Sequence, residues 1–301
     1  MKPTLAAALA AALAFSPQLA LAQEPEVVVE GRQQEEAIRE FIGTASAAVS
    51  ADNQLAMWQG DICPGILGIR REQAQAFIDR IALRAYQFGI ETGASGCDPN
   101  VFIFFAPDAN AFTRQLFEND RSLFAYFYEQ NISTRGHEAL ADFLNTPRPV
   151  RWWHVSRRTT GEGIRLASSN AREGVPGHSA FRDVQSLRST GSRLRQAIRQ
   201  EFARAIVVVD ASQTAGIPLP AVADYVAMIA LAQIEPDAAL SGHATILNLF
   251  TAPDEARPNE LTAWDLAYLQ SLYSATPESA STALQFGEMT HRMERELAPQ
   301  D

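Results

Sequence analysis

Beyond Lys2 this chain of 301 residues contains no lysine. That absence excludes Schiff-base chemistry and phosphate-loop nucleotide hydrolysis, both of which need a lysine amine. The basic character rests on 24 arginines, set against 35 acidic residues. Genomic base composition accounts for such an arginine bias without a functional role. Cysteine is equally scarce, with Cys63 and Cys97 the only two. Two thiolates cannot complete a four-cysteine zinc site, and their spacing is too long for a Cys-x-x-Cys redox pair. No stretch beyond the N-terminus is long and apolar enough for the roughly 20-residue span that a membrane helix requires. There is no internal repeat and no long low-complexity tract.

The one sustained apolar run opens the chain. Met1-Lys2 gives a minimal positive start, Leu5 to Phe15 is built of Leu, Ala and Phe, Ser16-Pro17 breaks the helix, and Ala20-Leu21-Ala22 supplies the small residues that signal peptidase needs. Residues 1–22 therefore read as a cleavable secretory signal, with cleavage near Ala22 and a periplasmic or secreted product. In that oxidising setting the even cysteine count favours a Cys63–Cys97 disulfide over two free thiols. Charge is uneven: Arg148 to Arg204 holds 12 arginines and four acids. Such a segment either forms a basic face for anionic partners or pairs with the acidic remainder inside the fold. Net negative charge and export argue against nucleic acid as a partner.

Hydrophobic patterning places the elements. Val27–Glu30 is a short β-branched run, and Gln33 to Val49 has helical spacing. Ile62-Cys63-Pro64-Gly65 reads as a turn. Arg70 to Phe88 is amphipathic, with Ala74, Phe77, Ile78, Ile81 and Ala85 on one face. Gly93 to Asn100 is a loop, and Val101–Ala106 is apolar on both faces, the mark of a buried strand. Asp108 is placed to cap a helix to about Glu118, and His137 to Leu144 is another helix. Val150–Arg157 reads as a strand, Thr159 to Gly177 as a loop, Arg193 to Glu201 as helix or strand, and Ile206–Asp210 as a buried strand. Helices follow from Pro218 or Leu219 to about Ile234, from Thr262 to Ser274 with Thr262 as cap, and from Pro277 to Leu297. Strands alternating with helices give an α/β (α+β) fold. A composition shift near Pro147 divides an N-terminal subdomain, 23–147, from a C-terminal one, 148–301, unless the two form one continuous domain.

Three segments in order carry the functional expectation: Ala223–Glu235 (ADYVAMIALAQIE), Thr245–Phe250 (TILNLF) and Leu261–Ser274 (LTAWDLAYLQSLYS). Together they resemble the metzincin peptidases, and more closely an uncharacterised exported family related to them. The likeness covers about 55 residues. It implies a zincin-like mixed sheet with packed helices, a helix bearing His-Glu-x-x-His-x-x-Gly-x-x-His, a turn beneath the metal, and a final helix opening Leu-Ser/Thr-x-x-Asp and closing Leu-Tyr. Leu261-Thr262, Asp265 and Leu272-Tyr273 match that last helix, and Ile246-Leu247-Asn248 matches the turn. The metal motif is degenerate. Tyr225 and Ile229 stand at the two helix histidines, Val226 at the glutamate, Ala232 at the glycine, Glu235 at the third ligand and Leu247 at the turn methionine. Neither isoleucine nor valine can ligate zinc or carry a proton. A register shift of one residue restores no His-Glu pair, so the resemblance implies no catalytic zinc and no other cofactor.

The expectation is a catalytically inactive, exported scaffold that binds a protein or an envelope component. Two alternatives stand beside it. Trp152, His154, Arg151 and Arg157 lie in the basic segment and could stack on a sugar or grip an anion. An active hydrolase could use Ser179, although Gly177-His178-Ser179 lacks the last glycine of a nucleophile elbow, with Phe181 in its place. His137-Glu138 opens like a zinc motif but meets Ala141 at the fourth position. His137, His154, His178, His243 and His291 are scattered along the chain.

Overall fold

The computed structural model describes residues 26–48, 54–126, 132–163 and 193–298. The signal segment, Gly177-His178-Ser179 and most of the Thr159–Gly177 loop lie outside those residues. Among the described residues the chain is a mixed α/β protein with one five-stranded sheet between two helical layers.

The strands are β1 (Pro64–Leu67), β2 (Val101–Ala106), β3 (Ile132–Ser133), β4 (Val150–Thr160) and β5 (Ile198–Asp210), in the order β1-β2-β5-β4-β3. β1, β2 and β5 run parallel, while β4 is antiparallel to β5 and β3 to β4. The helices are α1 (Glu26–Ala45), α2 (Arg71–Gln87), α3 (Ala109–Asn119), α4 (Gly136–Asn145), α5 (Leu219–Leu231), α6 (Ala263–Ser274) and α7 (Thr282–Leu297). β2 pairs with β5 across Pro147, so the two halves of the chain share one sheet.

Side-chain alternation along the strands sorts the core into two layers. Val207 and Val209 of β5 face the larger layer with Ile38 and Phe41 of α1, Phe77 of α2, the apolar residues of α5 from Ala221 to Leu231 and Leu272 of α6. Ile206 and Val208 face the smaller one with Ala109 of α3, Phe124, and Leu140 and Phe143 of α4. A strand buried on both faces reads as a continuous apolar run, which is why Val101–Ala106 and Ile206–Asp210 are plain in the sequence.

Several boundaries differ from the sequence reading. Pro64-Gly65, read as a turn, opens β1. Proline is tolerated as the first residue of an edge strand, where no ladder hydrogen bond is lost. Gly65 fits because a side chain there would press on the Pro99 ring at 3.1 Å. Gly68 then turns with φ +96°, and a Cβ would lie 2.0 Å from the Phe105 carbonyl oxygen. The Val27–Glu30 run belongs to α1. β4 continues to Thr160 and β5 begins at Ile198 because Thr160 pairs with Ile198. α7 starts at Thr282, where the Ser281 side chain accepts from the Leu284 amide. Thr262 caps α6 as the sequence indicates, and Asp265 completes a capping box with it.

Candidate functional site

Every residue of α5 from Ala221 to Leu231 is buried, as expected of a helix apolar on all sides. Its C-terminus ends in the core. The last four carbonyls of a helix have no partner within it, and burial makes an unpaired one costly. Here each has a donor. Met228 accepts from the Ala232 amide at 3.2 Å. Ile229 accepts from His154 Nε2 at 2.6 Å, Ala230 from Trp58 Nε1 at 2.8 Å, and Leu231 from the Tyr273 hydroxyl at 2.5 Å. Trp152 Nε1 adds a bond to the Ile234 carbonyl at 3.0 Å.

Three parts of the fold deliver these donors. Trp152 and His154 come from the α5-facing side of β4. Tyr273 comes from the last turn of α6. Trp58 comes from the segment 54–58, which is fixed by buried glutamines: Ala56 N donates to Gln233 Oε1, Leu55 N to Gln285 Oε1, and Gln54 Nε2 to the Ser279 carbonyl. Met57 also pairs with β5, donating to the Gln200 carbonyl and accepting from the Phe202 amide. The bond from Trp58 can be isolated because its ring also stacks on Phe202 at 5.1 Å, which phenylalanine would preserve. Trp58→Phe is expected to lower unfolding free energy by about 1–3 kcal/mol through the unpaired Ala230 carbonyl. Chemical denaturation measures this, and a loss below about 0.5 kcal/mol would mean water replaces the bond.

Burial fixes the protonation states. His154 is pushed down from 6.5 to about 4, with desolvation the main cause and the Arg135 charge adding to it. Its Nε2 must carry the hydrogen, since a carbonyl only accepts. Desolvation pushes the Tyr273 and Tyr225 hydroxyls well above the usual tyrosine range, so both stay protonated.

The positions where the zincin resemblance would put a metal are packed shut. Tyr225 lies between Trp152 and Phe250, edge-on to both, at 6.2 and 4.9 Å. Val226 and Ile229 are fully buried. Glu235 lies beyond the helix and pairs with Arg135 at 2.6 Å. Leu247 lies in the 3₁₀ turn Ile246–Asn248, partly buried against the main core. That turn is tied to α6 by Asp265, whose carboxyl accepts from the Ile246 amide at 2.7 Å and the Thr262 amide at 2.8 Å, and from the Thr245 hydroxyl. Burial pushes Asp265 upward against those donors. Among the described residues no group of three or more His, Cys, Asp or Glu is placed to hold a metal ion.

Much of the basic segment is spent internally where it is described, while Arg193 and Arg195 are exposed. Arg148 pairs with Asp142 at 3.0 Å and Asp237 at 2.8 Å, and Arg157 and Arg199 meet Glu201 at 3.5 and 2.9 Å. Arg204 donates to the Ser122 and Leu123 carbonyls. Arg151 is fully buried and donates to the Phe143 and Leu144 carbonyls at the end of α4, and to Asn110. Arg165, Arg172, Arg182 and Arg188 lie outside the described residues. His137 stacks on Tyr126, His243 meets Phe41 and Trp264 edge-on or tilted, and His291 is exposed beside Glu294. Cys63 and Cys97 are bonded.

Two open grooves flank the turn after α5. One, of about 600 Å³, is lined by His243, Thr245, Asn248, Pro253 and Thr262 among others, and carries no charged side chain. The other, of about 540 Å³, is lined by Gln213, Gly216, Phe250, Asp254 and Arg257. Sequence reasoning missed Trp58 and the buried glutamines as builders of this region. The available signal was an apolar helix with no basic residue or glycine at its C-terminus, which demands donors from elsewhere. No protein-family model, curated protein or solved structure matches the chain.

Proposed function

We propose that this chain is an exported, non-catalytic scaffold on a zincin-like plan, and that it binds a protein or a cell-envelope component. The observation that carries the reading is the closure of α5. The helix and the turn and helix that follow it pack together in the order the resemblance implies. Apolar side chains and capped carbonyls fill the face where a metal and its water would sit. The disulfide supports an oxidising compartment, and no helix among the described residues is long and apolar enough to cross a membrane. Use of the basic segment as an anion or glycan site would have to rest on residues other than Trp152 and His154, which donate to backbone, and Arg148, Arg151 and Arg204, which donate to carboxylates or carbonyls.

Two measurements test this. Protein purified from the periplasmic fraction is expected to begin at Gln23 and to contain substoichiometric zinc by elemental analysis. One zinc per chain would sink the non-catalytic reading, and an intact N-terminus in the cytoplasmic fraction would sink export. A serine-reactive probe compared with Ser179→Ala is expected to label neither, and labelling lost in that variant would make the chain a serine hydrolase.

A further inference from the structure

The two edges of the sheet differ. β3, at one edge, is two residues long. β1, at the other, reads Pro64-Gly65-Ile66-Leu67. Sheet edges are ordinarily kept apart by charged side chains, prolines or bulges. β1 has Pro64 at its start and neither of the others. Backbone bonds show which of its groups are free. The Cys63 carbonyl accepts from the Asn100 and Val101 amides, on the β2 side. Ile62 bonds the other way, donating to the Glu91 carbonyl and accepting from the Gly93 amide. These directions alternate along a strand, so Pro64 and Ile66 also point away from β2. The bridge from Ile62 to Thr92 covers the edge at that level alone. The Pro64 carbonyl and the amide and carbonyl of Ile66 therefore have no strand beside them among the described residues.

Ile66 packs against the larger core layer, on the α2 side. Gly65 and Leu67 lie on the opposite face, in register with Phe102 and Phe104 of β2. There Leu67 is 65% exposed. The exposed Pro99 ring lies over Gly65, 3.1 Å from where a Cβ would stand. This pattern is complementary to itself. When two copies of β1 meet antiparallel about a two-fold axis at Ile66, the two Ile66 residues exchange a pair of backbone hydrogen bonds. Leu67 of each copy then falls opposite Gly65 of the other, where no side chain opposes it and the Pro99 ring receives it. Gly68, at φ +96°, turns each chain before it reaches segment 91–93 of the other.

Charge follows the same symmetry. Asp61 and Glu91 stand at the start of β1 and Arg70 and Arg71 just past its end, and all four are exposed. None of them forms an ion pair among the described residues. One acid, Glu72, follows the two arginines. Antiparallel pairing sets the acidic end of each strand against the basic end of the other, whereas parallel pairing sets like against like. Opposite charges across an interface fix its register and suppress other partners.

We propose that β1 is a self-association edge: two copies of this chain join antiparallel about a two-fold axis at Ile66, their sheets become one, and Leu67 of each fills the space beside Gly65 and Pro99 of the other. The proposal does not depend on the zincin-like reading. An interface built on two short strands is small, which places the dimer among weak, reversible associations.

Analytical ultracentrifugation of the full mature chain tests it, with an expected dissociation constant of about 1–100 μM. Leu67→Asp, at an exposed position, is expected to weaken the dimer at least about tenfold with circular dichroism unchanged. Charge variants give a second route. Arg70→Glu with Arg71→Glu makes both strand ends acidic, and Asp61→Arg with Glu91→Arg makes both basic. Each protein is expected to stay monomeric alone, and the two to dimerise on mixing. The Ile66 amide is expected to exchange with solvent at least about tenfold more slowly in the dimer than in dilute monomer. A chain still monomeric at about 1 mM overturns the proposal, even if its β1 edge takes up a strand from another protein. So does a dimer that survives Leu67→Asp unchanged, a pair of charge variants that fail to join, or an Ile66 amide indifferent to protein concentration.

Discussion

Asp224→Ala is expected to cost about 3–5 kcal/mol of unfolding free energy, the range found when one partner of a buried ion pair is removed. Asp224 lies on α5 with its side chain fully buried, and two arginines of α2 grip it in parallel. Arg80 donates at 2.8 and 2.7 Å, and Arg84 at 2.9 and 2.8 Å. The Leu261 amide adds a bond at 3.0 Å, which brings in the chain entering α6. One carboxylate thus ties α2, α5 and the approach to α6. Without it two guanidinium groups face each other, and Glu260, exposed and at 3.5 Å or more from both, is a weak substitute. The triple variant Asp224→Ala, Arg80→Met, Arg84→Met is expected to recover much of the loss, because the damage comes from unpaired charge. Chemical denaturation of the three proteins decides, and a loss under 1 kcal/mol for Asp224→Ala would show the cluster to be ornamental to stability.

The same carboxyl gives an acid limb. Desolvation alone would raise it, but hydrogen bonds from Arg80 and Arg84 hold it at about 2, below the usual 3.8. Its contribution is complete above pH 3.8 and is lost as pH falls through about 2, amounting to about 2 kcal/mol. His154 acts earlier, between 6.5 and 4, so acid weakening should proceed in two separable stages.

Opening the disulfide is the second large effect, with an expected loss of about 3–4 kcal/mol for a loop spanning a separation of 34 residues. Cys63 immediately precedes the edge strand β1, and its carbonyl accepts from the Asn100 and Val101 amides while its own amide donates to Asn100 Oδ1. The bridge therefore secures a junction that backbone bonds already define, and Gly93 passes so close that a Cβ would come within 2.8 Å of Cys97 Sγ. Since the bond acts mainly by restricting the unfolded chain, the native fold should survive its loss at 25 °C. The double variant Cys63→Ala, Cys97→Ala is expected to unfold at lower denaturant with unchanged near-ultraviolet dichroism. A variant as stable as the parent would rule out that role.

What the sequence fixes by itself is whatever depends on near neighbours. Phe77, Ile81 and Ala85 at helical spacing determine the buried face of α2. Apolar residues on both faces determine β2 and the end of β5. Thr262 with Asp265 determines where α6 begins, because a cap needs only its own first turn. The two cysteines left one possible pair. The structure alone decided matters that depend on residues far apart in the chain. Pro64-Gly65 forms a strand because β2 lies beside it, and Val27–Glu30 is helical despite its β-branched side chains. From their neighbours alone Trp152 and His154 could either serve a ligand or pack in the core. His154 caps α5 at Ile229 and Trp152 bonds the Ile234 carbonyl beyond it because β4 lies against the end of that helix, 75 residues along the chain in the case of His154. A buried carbonyl takes the nearest donor in space, and sequence distance does not enter that choice.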